Sequence, residues 1–258
     1  MTTPLLELRG LHFGFAGHPV LRGVDLALHA GERLALIGAN GAGKTTLLQV
    51  LVGLRQPSAG QVIAFGEERR VEAEFVPVRG RVGLLFQDSD DQLFCPTVLE
   101  DVAFGPLNLG RSREQARADA EQTLAALGLA GFAERVTHRL SAGEKRLVAL
   151  ATVLAMRPEV LLLDEPTNGL DEAAEGRLLA HLQALDQAMV IVSHDRRLLE
   201  RLATRAVSLH QGRVVPATLH RHAHVHAHEH LHLHAPGVAS DHAHARQASA
   251  HADHHAGE

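Results

Sequence analysis

The stretch Leu34-Ala35-Leu36-Ile37-Gly38-Ala39-Asn40-Gly41-Ala42-Gly43-Lys44-Thr45-Thr46-Leu47-Leu48-Gln49-Val50-Leu51 joins an apolar run, a glycine loop and a helical pattern without a break. Leu34 to Ile37 is continuously apolar, which suits a strand covered on both faces. Gly38 to Thr45 matches G-x-x-x-x-G-K-[ST] at every fixed position. Glycines let a backbone curl until several N–H groups converge on phosphate oxygens. The helix that follows presents its positive end to the same anion. Lys44 is then placed to reach the β- and γ-phosphates, and Thr45 to offer its hydroxyl to Mg²⁺. Only two lysines occur among the 25 basic residues, and one of them stands here. Gly38, Ala39, Asn40, Gly41, Ala42, Gly43, Lys44, Thr45 and Thr46 are therefore the nucleotide-binding candidates.

Outward from this stretch the same patterns recur. Leu6 to Phe13 and Val24 to Leu28 alternate apolar and polar residues, as half-buried strands do. Val160 to Leu163 and Met189 to Val192 are short apolar runs and are expected to be buried strands. Arg113 to Leu127 is rich in Ala, Glu and Arg with apolar spacing near 3.6, which predicts a helix. The wider segment from about Pro96 to Met156 is expected to form a helical subdomain beside the sheet. Strand, loop, helix and further buried strands indicate an α/β domain with a largely parallel sheet. The run from Val160 ends in Asp164-Glu165. Behind a phosphate loop, Asp164 would hold Mg²⁺ through water and Glu165 would orient or deprotonate the attacking water. Taken alone, an apolar strand ending in two carboxylates is also an ordinary solvated strand end.

Leu140-Ser141-Ala142-Gly143-Glu144 stands about twenty residues before that acidic strand. In this order the motifs resemble the nucleotide-binding subunit of an ATP-binding-cassette (ABC) transporter, over residues from about 5 to 215. The resemblance implies a P-loop NTPase core, α/β with a mostly parallel sheet, an N-terminal antiparallel β portion and a helical subdomain. It also implies ATP and Mg²⁺ as cofactors, and a homodimer or a heterodimer of ATPases. In such dimers the phosphate loop of one subunit faces the signature, here Ser141, Ala142, Gly143 and Glu144, of the other. Ser141-x-x-Glu144 is itself a capping box, so its helix would aim its N-terminal dipole at the facing γ-phosphate.

Other positions carry over one at a time. Gln87, after Val82 to Phe86, resembles the glutamine that links the γ-phosphate and metal to the transmembrane partner. Asp171, in Asn168-Gly169-Leu170-Asp171, resembles the acid of a loop that touches the opposite subunit. His194, in Val192-Ser193-His194-Asp195, resembles the switch histidine on the γ-phosphate. Phe15 is the matching adenine platform, since the chain has no Tyr or Trp. The implied catalytic set is Glu165, His194 and Gln87, with Mg²⁺ held by Thr45, Gln87 and Asp164. Outside the resemblance each is ordinary: a strand-end polar group, a turn, a structural histidine, a core phenylalanine. Ala142 stands where the family usually has Gly, and its methyl is harmless unless φ there must be positive. Glu144 replaces the more usual Gln.

The run Gln87-Asp88-Ser89-Asp90-Asp91-Gln92-Leu93-Phe94-Cys95-Pro96-Thr97-Val98, followed by Glu100 to Pro106 and Leu107-Asn108-Leu109-Gly110, is more specific. It is similar to the ATPases of energy-coupling-factor importers, especially the cobalt/nickel group. There the segment after the glutamine lies where membrane coupling helices dock. The resemblance implies a transmembrane scaffold subunit and a membrane substrate-binding subunit as partners. The chain itself would sit on the cytoplasmic face of the membrane and supply ATP hydrolysis for nickel or cobalt uptake. An ATPase of another importer, a soluble ABC ATPase outside transport and a metal-storage protein stand as alternatives. The second usually carries coiled-coil insertions or duplicated cassettes. The third conflicts with intact Lys44, Asp164, Glu165 and His194.

Composition bounds the rest. A chain of 258 residues that is 45% hydrophobic can bury a full core. A net charge of −5 argues against a general grip on nucleic acid. The single cysteine, Cys95, forms no intrachain disulfide, and no run approaches the roughly 18 apolar residues of a membrane span. The first ten residues lack a basic region followed by an apolar run, so no secretory signal is expected there. Histidine is the anomaly: 13 of 20 fall within residues 218–258. That segment is expected to be a disordered low-complexity tail behind an ATPase domain spanning 1–217. His220, His222, His224, His226, His228, His230, His232 and His234 occupy every second position. They share one face if extended and form i, i+4 pairs if helical. Either arrangement offers imidazoles to Ni²⁺, Co²⁺, Cu²⁺ or Zn²⁺, and a drifting, unselected tail is the plain alternative.

Overall fold

The computed structural model describes residues 3–223 and 229–234. It opens with a hairpin of β1 (Leu6–Phe15) and β2 (His18–Leu28). Ala16 and Gly17 join the two strands at φ values of 43° and 84°, the primed turn geometry that follows strand twist. Both strands therefore run beyond the alternation marked in the sequence. Next come β3 (Arg33–Ile37), the glycine loop and α1 (Lys44–Leu51). β4 (Ala59–Ala64) and β5 (Glu67–Arg69) complete an antiparallel sheet of order β2-β1-β4-β5. α2 (Glu72–Arg81) leads into β6 (Val82–Leu85). Three helices follow: α3 (Val98–Asn108), α4 (Arg113–Ala126) and α5 (Ala142–Leu154). Each begins with a capping box, Thr97/Glu100, Ser112/Gln115 and Ser141/Glu144, so side chains satisfy backbone donors that the helix cannot. The chain then alternates through β7 (Val160–Asp164), α6 (Glu172–Ala184), β8 (Ala188–Val192), α7 (Arg196–Leu202) and β9 (Arg205–His210). It continues into β10 (Arg213–Ala223) and β11 (Glu229–His234).

The second sheet has the order β11-β10-β9-β3-β8-β7-β6, parallel from β9 to β6. Its central strands are apolar on both faces because both faces are covered, and parity sorts the side chains into two cores. Leu34, Leu36, Val160, Leu162, Val190 and Val192 pack with α1 and the antiparallel sheet. Ala35, Leu161, Leu163, Met189 and Ile191 pack with α3 to α7. The sheet thus holds the C-terminal ends of β3, β7 and β8 side by side, where loops gather in open α/β folds.

The boundary expected near residue 218 falls inside a strand. β10 crosses that boundary: Arg213 to Ala217 pair with β9, and Thr218 to Ala223 pair antiparallel with β11. A strand already ordered by β9 offers a template, and strict alternation of His with Leu, Arg and Ala has the two-residue period of a strand. His224, His226 and His228 lie outside the described residues, as do residues 235–258.

Candidate active site

The glycine loop joins the end of β3 to the start of α1. A Cβ on Gly38 would lie 2.5 Å from the Leu209 carbonyl oxygen, and one on Gly43 would lie 2.6 Å from a Val20 methyl. Gly43 also has φ of 103°, where side chains are strained. It is the N-cap of α1 and offers no side chain to close that end. The first-turn N–H groups therefore stay open to an external anion. Lys44 is buried, and its Nζ donates to the carbonyls of Gly38 at 2.8 Å and Ala39 at 3.0 Å. Burial lowers its pKa, opposed by the charges of Glu165 and Asp164.

The acidic strand end closes the site from β7. Thr45 Oγ1 donates to Asp164 Oδ2 at 2.6 Å, which joins two of the three groups expected to hold Mg²⁺. Burial raises the Asp164 pKa, against the Thr45 hydrogen bond and the charges of Lys44 and Arg146. The carboxylate and the hydroxyl together supply hard oxygen donors of the kind a divalent ion takes. Glu165 has φ of 46°, a left-handed conformation that costs about 1–3 kcal/mol in a non-glycine residue. Its N–H donates to the Val192 carbonyl at 2.8 Å, which ties it to β8. Its carboxylate accepts from the His194 N–H at 3.2 Å and lies 3.4 Å from His194 Nε2. The backbone strain is held by these β8 contacts, and it fixes carboxylate and imidazole together.

These groups line one cleft of about 690 Å³ with Phe15, Asn40, Thr46 and Gln87, a size that suits a small-molecule ligand. Phe15 sits at the rim, 43% exposed, edge-on to Phe13 at 4.9 Å with the Arg55 guanidinium 5.2 Å from its ring. A ring so exposed is not a core residue.

A family profile described as ABC transporter matches residues 21–168. A putative ABC transporter ATP-binding protein of Brucella suis is 57% identical over 218 residues, 84% of this chain and 91% of that protein. The chain belongs to the ABC transporter ATP-binding family. Two relatives from Rhodobacter capsulatus are a nickel import and a cobalt import ATP-binding protein. The nickel protein is 45% identical over 226 residues, 83% of this chain and 89% of its own. The cobalt protein is 48% identical over 221 residues, 83% of this chain and 78% of its own. The solved structure of cbiO1 from Clostridium perfringens, part of the ABC transporter complex cbiONQ, matches with a TM-score of 0.74 at 31% identity. That match covers 83% of this chain and 88% of cbiO1. The fold is a P-loop NTPase cassette, and the chain is an ATPase.

The segment Ser141 to Glu144, expected to be the signature, opens α5. Ser141 caps the helix, and Glu144 accepts from the Ser141 N–H at 2.8 Å, a bond that lowers the glutamate pKa. Ala142 has no positive φ, so its methyl is compatible with the helix start. Gly143 is the tight position: a Cβ there would lie 3.0 Å from the Ala174 Cβ of α6. Ser141, Gly143 and Glu144 do not line the nucleotide cleft. Ala142 lines a neighbouring hollow of about 520 Å³ that shares Thr45, Gln87, Asp164 and Asn168 with the cleft. Asp171 accepts from the Ala174 N–H at 2.7 Å and caps α6.

Arg146 is the residue that sequence reasoning passed over. It is 2% exposed, and its five N–H donors all meet carbonyl oxygens. Nε donates to Pro166 at 2.8 Å, and Nη2 to Asp164 at 2.9 Å and Glu165 at 2.7 Å. Nη1 donates to Phe86 and, at 3.2 Å, to Gln87. One guanidinium thus ties α5 to the segment Phe86–Gln87 and to the backbone of Asp164 and Glu165. Burial brings its pKa down to about 10, against the charges of Asp164, Asp88 and Glu165, so it stays cationic near neutrality. Lys145-Arg146 belongs to no motif in the sequence. Carbonyl partners leave no mark in side-chain chemistry.

Proposed function

We propose that this cassette powers uptake of nickel or cobalt through a membrane partner. The observation that carries the reading is its 45% and 48% identity to nickel and cobalt import ATP-binding proteins over most of its length. In this reading ATP lies in the cleft with adenine against Phe15 and its phosphates over Gly38 to Thr46. Thr45, Asp164 and Gln87 would hold Mg²⁺, which when bound neutralises charge on the phosphates. Glu165 orients the attacking water, and His194 contacts the γ-phosphate from the other side of that carboxylate. Ser141, Gly143 and Glu144, lying outside their own cleft, serve the nucleotide of a second ATPase subunit, with Asp171 on the loop between subunits.

No helix among the described residues is long and apolar enough to cross a membrane, so transport needs a partner that does. A groove of about 500 Å³ beside the glutamine loop suits the docking of a transmembrane scaffold subunit. It is lined by Leu54, Val76, Phe94, Phe104 and Leu109, all exposed. The cassette would then lie peripherally on the cytoplasmic face, beside a membrane substrate-binding subunit. The His-rich tail would take Ni²⁺, Co²⁺ or Zn²⁺ on that same side.

The test is metal accumulation in cells whose only copy carries Glu165→Gln. Loss of nickel or cobalt accumulation is expected. Normal accumulation of both would overturn the reading in favour of another importer.

A further inference from the structure

Beyond the end of β6 the chain runs out from Phe86 and returns at Gln92 in one short loop. Ser89–Asp91 is a single 3₁₀ turn, which the Asp88 carboxylate caps by accepting from the Asp90 N–H at 2.9 Å. Gln92 closes the loop. Its Oε1 accepts from the N–H of Phe86, six residues back, at 3.2 Å. Its Nε2 donates to the Ala149 carbonyl and to Thr152 Oγ1 of α5, each at 2.8 Å. These partners fix which way the amide points. A backbone N–H can only donate and a backbone carbonyl can only accept, so the oxygen faces Phe86 and the nitrogen faces α5. A carboxylate lacks the nitrogen, and an apolar side chain lacks both groups.

The same segment is held from α5 a second time, since Arg146 donates to the carbonyls of Phe86 and Gln87. Residues three apart on a helix are neighbours, so Arg146, Ala149 and Thr152 meet the loop in turn. Phe86 is therefore fixed by both of its backbone groups, the N–H through Gln92 and the carbonyl through Arg146. Phe86 and Gln92 line the apolar groove, whereas Gln87, the next residue after Phe86, lines the nucleotide cleft. We propose that Gln92 is a positioning residue for ATP hydrolysis, which pins Phe86 to α5 from the groove side and so sets where Gln87 sits in the cleft. Gln92 does not line the cleft itself and acts only through its neighbour. The inference rests on the reading of Gln87 as a group that meets the nucleotide and its Mg²⁺. A group misplaced by about 1 Å can cost on the order of 100-fold in rate, which is why a residue outside the cleft can matter to turnover.

The experiment is steady-state ATP hydrolysis by the full chain, with kcat expressed per folded molecule. Gln92→Glu keeps the bond from Phe86 but turns an oxygen without a proton toward the Ala149 carbonyl, and Gln92→Leu removes both bonds. Each should lower kcat at least about tenfold while KM for ATP stays within about twofold of the parent, because the phosphate loop is untouched. Leu124→Ala, at a buried position in α4, controls for lost stability and should lower Tm while keeping parental kcat. An equal fall in kcat with Leu124→Ala, or a rise in KM in place of the fall with the Gln92 variants, would overturn the positioning role. Gln87→Ala separates the two readings. If it lowers kcat while both Gln92 variants turn over as the parent does, the role of Gln92 is overturned and that of Gln87 stands. If Gln87→Ala leaves kcat unchanged, both are overturned.

Discussion

Arg146 shows how much of a catalytic site is held by groups that never touch substrate. Its five donors meet five carbonyls on two loops, and a lysine has only three donors on a flexible stem. Arg146→Lys should therefore keep the cation yet free at least two carbonyls, at about 1–3 kcal/mol for each that stays buried and unpaired. The expected outcome is a lower Tm together with a fall in kcat larger than any rise in KM for ATP. A purely structural role would lower Tm and leave kcat per folded molecule unchanged. Asp164 adds a pH dependence. Burial raises its pKa, so it takes up its proton at a higher pH than an exposed aspartate, and the protonated acid no longer holds a cation. Mg²⁺-dependent ATP affinity should weaken on acidification from that higher onset. Thr45→Val removes a hydrogen bond that opposes the shift and should move the onset further up. A pH series of nucleotide affinity at fixed Mg²⁺, each protein scaled to its own plateau, checks the direction. At this scale Lys44, Thr45, Asp164 and Glu165 are legible because their spacing is the chemistry. Arg146 is not, because its partners are backbone.

At the scale of elements, legibility followed coverage. β3, β7 and β8 are buried on both faces and appear as unbroken apolar runs, whereas the Pro77 in α2 hides a helix. That helix exists because Phe75 and Val78 are buried and Glu72, Glu74, Arg79 and Arg81 suit its two ends. Proline near its middle removes one backbone donor, and packing outweighs the loss. β10 and β11 are hidden for another reason, since histidine alternation looks like low complexity until a register is assigned. The two cores on either face of the sheet make a direct prediction. Leu161 and Leu162 are neighbours in β7 with no exposed surface, yet they belong to different cores. Leu161→Ala and Leu162→Ala should each cost about 2–5 kcal/mol in urea unfolding. Only Leu162→Ala removes packing from the core that also holds Leu47, Leu48 and Leu51 of α1. It should weaken ATP binding more than Leu161→Ala at equal loss of stability.

At the scale of the whole molecule, the cassette presents two surfaces that it does not itself fill, the exposed start of α5 and the apolar groove beside α3. The two are connected. Arg146 lies in α5 and holds the carbonyls of Phe86 and Gln87, while Phe86 also lines the groove that runs on to Phe94 and Phe104. Lys145 pairs with Asp90 at 2.5 Å across the same loop. A partner seated in the groove would therefore bear on the segment that carries Gln87 into the cleft. Phe94 and Phe104 pack edge-to-face at 4.9 Å while 65% and 44% exposed, an apolar pair held in water unless something covers it. A carboxylate placed there should cost the isolated cassette little, since the ring surface is already wet. In a docked complex it would be buried without a partner, which is far more expensive. Phe104→Asp should leave ATP affinity and basal hydrolysis of the isolated cassette near those of the parent. It should also abolish co-purification with the membrane subunits and remove metal accumulation in cells. Co-purification at parental yield would show that the groove is not the docking surface. Loss of basal hydrolysis together with docking would instead show that Phe104 supports the cassette's own fold.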